Sequence, residues 1–222
     1  MIRTTDQLLD KIAAEIIWRR KELTDLRGLV QENSGELRSR VLIRCAVALL
    51  YAHWEGFIKK CGSYYVELVA AHRVPYKDLS ANFIGIAIKS KYAELGVNKK
   101  VSAGNALAEF FTKGLERQSS LPYKTAIDTK SNLSSEVLVD IVDSLGLDAS
   151  KFATRLKYID ANLVNPRNHI AHGEALDISL DEYLVLHDDV LALIQIFRNE
   201  VENASVQRSF DRRHSALIVS SR

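Results

Sequence analysis

Arg167 and His172 stand five positions apart in the run Asn165-Pro166-Arg167-Asn168-His169-Ile170-Ala171-His172-Gly173. Arginine keeps its charge and offers a planar fork of donors that matches phosphate oxygens. Histidine is the residue type whose ordinary pKa lies nearest neutrality, so it can take up or release a proton. The flanking residues spell a short helix. Asn165 suits an N-cap and Pro166 a first helical position, while Gly173 suits the residue past the end. On that reading Arg167 lies at a helix N-terminus, where free N–H groups and the dipole favour an anion. His172 follows roughly 7.5 Å along the axis. The chemistry implied is an anion clamp beside a proton carrier. The plainer alternative is a polar helix connection with both side chains solvated.

Other side chains compete for a part. Asn168 adjoins the arginine and could orient an anion or an imidazole. His169 reads either as a second proton carrier or as a surface or interface histidine; with no carboxylate or cysteine pattern beside it, a metal is not expected. On an earlier, strongly apolar segment, Glu55, Lys59 and Lys60 form a charged step. Glu55 and Lys59 have the spacing of an ordinary surface helix pair, yet on so apolar a helix they are expected to face a cleft or to pair inside a bundle. Arg44 and His53 lie on the same segment, and Lys130 and Asn132 lie in a loop that could reach the site.

The elements that must position these groups are helical. Residues 5 to 32 carry apolar positions at helical spacing, and Asn33-Ser34-Gly35 marks a turn. From Glu36 to Ala71 the pattern is apolar on most faces, the mark of a central buried helix. Residues 76–132 are less regular, with short helices expected at 83–88 and 107–115 around the polar Asn98-Lys99-Lys100, and loops at 118–122 and 128–132. Their apolar content is too small for a separate core. Ser134 to Gly146 reads as a capped helix, and 149–164 as another. Ser179 and Glu182 form a capping box opening a long helix to about Asn203. The fold class is all-α: one domain over 1–204 with an insertion near 76–132, and a basic, flexible tail over 205–222.

With 222 residues, 47% hydrophobic and 26% charged, the chain can bury a sizeable core. A net charge of +2 means that any nucleic-acid contact must rest on local positive charge. Cys45 and Cys61, roughly 24 Å apart along one helix, are beyond disulfide reach and read as buried thiols of a cytosolic protein. No signal peptide, no uncharged apolar stretch of membrane-spanning length and no Gly-rich phosphate loop is seen.

The string Arg167-Asn168-His169-Ile170-Ala171-His172, late in an all-α chain, resembles the R-x4–6-H signature of the HEPN superfamily. Glu55-Gly56-Phe57-Ile58-Lys59-Lys60 resembles the E-x3-K-(K/R) element of its ribonuclease members, and Tyr51-Ala52-His53-Trp54 a prokaryotic subgroup of toxin and phage-defence genes. The similarity covers about 36–71 and 134–203. It implies an antiparallel bundle of four or five core helices and a metal-independent endoribonuclease without cofactor. It also implies a homodimer whose two motifs face one cleft. Arg167 would bind phosphate, His172 transfer protons, and Asn168 orient one or the other. The partners implied are RNA, a second copy, and an antitoxin or other regulatory protein in the cytoplasm, with no membrane. Some relatives are silenced by modification of a tyrosine two residues past the histidine; here that position is Glu174. The alternative implied is a non-catalytic interaction or nucleotide-binding module.

Overall fold

The computed structural model describes residues 1–36, 38–94 and 101–214. Among these the regular structure is helical, and extended pairing is limited to the isolated bridges Pro75–Gln118 and Leu79–Asp211. Three long helices make the frame: α1 (Thr5–Glu32), α2 (Ser39–His72) and α8 (Leu180–Val206). Between α2 and α8 lie α3 (Ala81–Glu94), α4 (Val101–Glu109), α5 (Ser135–Leu145), the single turn α6 (Leu156–Tyr158) and α7 (Asn165–Ala171).

The ends of the frame follow from side-chain chemistry. Thr4 accepts the Gln7 N–H to start α1, and Ser134 accepts the Val137 N–H to start α5. Gly146, at φ +67°, ends α5 in the left-handed conformation that glycine adopts most easily. Ser179 and Glu182 complete the capping box of α8. α2 is the core helix. Its Leu50, Trp54, Phe57, Ile58, Cys61, Tyr65 and Val66 are all fully buried.

α1 runs antiparallel to α2, as the pairs Glu15–Tyr64 and Arg19–His53 show. α8 runs parallel to α2: Arg44 near its start meets Leu176 just before α8, and Phe57 further on meets Phe197. Residues 73–179 carry the chain back to make that parallel pairing. They do not form a second core, since Phe83, Ile86, Phe110, Leu121, Ile127 and Phe152 join the same cluster as α2.

Several expectations change. Residues 149–164 are not one regular helix but two 3-10 turns, α6, and a π-helical segment Ile159–Val164. Cys45 is exposed and only Cys61 is buried; α2 leaves open the face that carries Cys45. The expected flexible tail is anchored in its first half: Phe210 is fully buried, its carbonyl accepts the Ser80 N–H, and Arg213 pairs with Asp211. Residues 215–222 and the expected turn at Asn98-Lys99-Lys100 lie outside the described residues. By length and composition α2 is also apolar enough to cross a membrane, with a mean hydropathy of 1.4 over 18 residues. Here its apolar faces pack against α1, α5 and α8.

Candidate active site

α7 does not open a new helix. The backbone runs helically from α6 through the π segment into α7, and Val164 and Asn165 both have right-handed helical torsions. Asn165 therefore caps nothing, and its N–H is already bonded to the Asp160 carbonyl. The anion-binding helix N-terminus expected at Arg167 is absent. The reason lies at Pro166, which sits at the start of α7 as expected. A proline inside an α-helix clashes with the carbonyl four residues back, and the wider π turn gives that ring room. Asp160 also ties this segment to α5, accepting the Ser135 N–H at 2.8 Å and the Ser135 hydroxyl at 2.5 Å.

The other end of α7 is as the sequence indicates. Gly173, at φ +76°, follows His172, donating its N–H to the Ile170 carbonyl at 3.1 Å. The Glu174 N–H reaches the His169 carbonyl at 2.9 Å. This pair of bonds is the Schellman arrangement, which stops the helix at His172.

Arg167 is held from three sides. Its guanidinium carbon lies 4.2 Å from the centre of the Tyr51 ring. Nη1 donates to the Asn168 side-chain oxygen at 2.8 Å, and Nη2 donates to the Ser131 carbonyl at 3.2 Å. The charge is thus placed by an aromatic face and two acceptors instead of by a helix dipole. Tyr51 is 2% exposed, and its hydroxyl oxygen accepts the Leu133 N–H at 2.6 Å. Burial pushes the Tyr51 hydroxyl up to about 12; the Leu133 bond and Arg167 pull it down, and Glu55 adds to the rise.

Of the charged step expected to face a cleft or pair inside the bundle, Glu55 finds an inner partner and the two lysines do not. Glu55 accepts the Thr129 hydroxyl at 2.5 Å, and among the described residues it makes no ion pair with Lys59 or Lys60, both exposed. The backbone of 129–133 is thereby fastened to α2 and α7 at three points: Thr129, Ser131 and Leu133. Lys130 and Ser131 have φ of 52° and 56°, left-handed values that cost an L-residue about 1–2 kcal/mol each. The three bonds offset that strain. The sequence pointed to Lys130 and Asn132 in this loop, but the groups that meet the site are the Thr129 hydroxyl and the Ser131 carbonyl.

His172 is exposed and, among the described residues, has no side-chain hydrogen bond or ion pair. His169, also exposed, is taken by the Glu174 carboxylate through Nδ1. Arg44 reaches the Leu176 carbonyl at 3.2 Å and steadies the loop after the motif. His53 is not part of this group. It is 2% exposed and turned toward α1, where its Nε2 lies 2.6 Å from Glu22 and its Nδ1 3.3 Å from Arg19. The physical cause is helical phase: two positions from Glu55 on α2 is the opposite face.

Arg167, Asn168, Tyr51 and Glu55 therefore converge, and His172 stands exposed at the C-terminal end of α7. Tyr51 was the residue missed as a site member, although it stands one turn before Glu55 and so shares its face. Two open clefts flank the group, one of about 440 Å³ between Pro166, Ile178 and Val185, and one of about 640 Å³ between α3, α5 and residues 122–130. Arg167, Asn168 and His172 line neither; Arg167 and Asn168 are half-buried and His172 is exposed. No three His, Cys, Asp or Glu side chains gather as metal ligands among the described residues.

A family model described as RiboL-PSP-HEPN matches residues 14–203. No curated protein and no solved structure matches the chain.

Proposed function

The chain belongs to the RiboL-PSP-HEPN family, a HEPN-superfamily domain, and from that premise we propose that it is a metal-independent endoribonuclease acting as a toxin or phage-defence effector in the cytoplasm. Domains of this superfamily are often ribonucleases or nucleotide-binding modules. The observation that carries the catalytic reading is the contrast between the two motif side chains. Arg167 is pinned by Tyr51, Asn168 and Ser131, whereas His172, at the end of the same short helix, is exposed and without a side-chain partner. A fixed cation and an unengaged imidazole carried on one short helix are the two groups that phosphodiester transfer needs.

In this reading neutral His172 removes the proton from a ribose 2′-OH. The oxygen attacks the adjacent phosphorus, and the extra charge on the phosphorane oxygens is met by Arg167. The bond to the 5′-oxygen breaks, that oxygen takes a proton from a protonated imidazole, and a 2′,3′-cyclic phosphate remains. The motif offers one unengaged histidine per protomer, because His169 is bound to Glu174. A second copy facing the first would supply the acid, and the exposure of His172 leaves it reachable from outside the protomer. Lys59 and Lys60, exposed on α2, would add local positive charge for the RNA backbone. An antitoxin or other regulatory protein would then act by covering the same surface.

The test is cleavage of RNA oligonucleotides by purified protein in the presence of EDTA, with the product ends analysed. His172→Ala should lower the rate by about 10²–10⁴-fold while leaving the fold intact, and products should end in cyclic phosphate. Cleavage that stops on chelation, or an undiminished rate in that variant, would refute the proposal.

A further inference from the structure

Resting on that ribonuclease reading, we propose that Tyr51 is a positioning residue of the same site: its ring face, locked by residues 129–133, holds the Arg167 guanidinium in the orientation that meets the scissile phosphate. An arginine side chain turns about several bonds, so a guanidinium at a surface is ordinarily spread over many positions. Here three neighbours define its place. The Tyr51 ring lies 4.2 Å below, Asn168 takes Nη1 and the Ser131 carbonyl takes Nη2. A guanidinium has five N–H donors, and these two bonds leave others for an anion.

The ring is itself fixed. Tyr51 lies on the core helix and is 2% exposed, with its hydroxyl oxygen accepting the Leu133 N–H at 2.6 Å. One turn on, Glu55 takes the Thr129 hydroxyl. Those anchors bracket Lys130 and Ser131, whose left-handed torsions aim the Ser131 carbonyl at Arg167. A buried tyrosine hydroxyl needs a partner in any case, but a tyrosine that only filled the core would need no cation on its face. The consequence is that residues 129–133, which lie between α2 and α5 and within the span matched by the family model, form the second wall of the Arg167 site.

The experiment uses the full chain, with Tyr51→Phe, Tyr51→Leu and, should the leucine variant not fold, Tyr51→Met. Two readouts are taken on folded protein: the NMR signal of the Arg167 Nε–H, and kcat and KM for an RNA oligonucleotide. In the wild type that signal carries a ring-current shift; Tyr51→Phe, which keeps the ring and loses only the Leu133 bond, retains most of that shift and has a kcat between those of the wild type and the aliphatic variants. In Tyr51→Leu or Tyr51→Met the signal moves to that of a solvated arginine, and kcat falls about tenfold or more with little change in KM. A merely structural role would lower the melting temperature without moving the kcat of the folded enzyme. An unmoved Arg167 signal, or an unchanged kcat, overturns the proposal. Should the wild type not cleave RNA, the ribonuclease reading fails separately, and the NMR comparison alone decides whether Tyr51 holds Arg167.

Discussion

Arg167 owes its placement to being an arginine, not only a cation. Asn168 and Ser131 accept from its two terminal nitrogens while its flat face rests on Tyr51. A lysine has one nitrogen and no plane, so it can keep the charge but not all three contacts. Arg167→Lys is therefore expected to lower RNA cleavage by about 10- to 100-fold, the worth of one lost charge-assisted hydrogen bond. A rate within twofold of wild type would show that charge alone suffices. Motif spacing made Arg167 and His172 legible as a pair. It could not show which partners the arginine takes, because Ser131 lies thirty-six positions away and contributes only a backbone carbonyl. Glu55 shows the same limit: its spacing to Lys59 is local and visible, whereas its donor, Thr129, comes from a distant loop.

At the scale of elements, helix ends written in cap chemistry were readable. Ser134 and Gly146 bound α5, and Ser179 with Glu182 opens α8. Gly173 is the same kind of signal, and α7 depends on it. Gly173→Ala finds no steric obstacle, since nothing lies within 4 Å of the added carbon, but it keeps the φ of +76°. The substitution should cost about 1–2 kcal/mol, read as a lowered urea midpoint, and should fray the helix at His172. An unchanged midpoint would mean that the turn relaxes without loss. The start of α7 was not readable. Asn165-Pro166 has the local signature of a helix opening, but a π segment upstream already supplies helical backbone and absorbs the proline. Only tertiary anchoring, through Asp160 on Ser135 and through Leu163 and Val164 in the core, decides between the two.

For the whole molecule, the seam between α1 and α2 carries charge into the interior. Arg19 is 6% exposed, bonded to Glu15 at 3.0 Å, and its guanidinium fills the space beside Gly56. His53 lies between Arg19 and Glu22, with Trp18 against its ring. Burial first, and Arg19 second, hold its pKa below the ordinary 6.5, while Glu22 opposes them. The unfolded chain thus takes up this proton before the folded one. Stability contributed by neutral His53 is present above about pH 6.5 and is lost as pH falls through that value toward the lower folded pKa. Melting temperature should drop between about pH 7.5 and about pH 5.5, and the drop should be smaller in His53→Gln. Equal slopes in the two proteins would remove His53 from the account.

The bonds that complete the Arg167 site join positions far apart in the chain: Tyr51 with Leu133, Glu55 with Thr129, and Ser131 with Arg167. The first two must wait for residues 129–133 and the third for α7, and folding must close long loops before any of them is made. A nascent chain therefore carries the core helix, and later the loop, without a working cation. If the motif cuts RNA, this order of assembly protects the translation machinery from the protein it is still making.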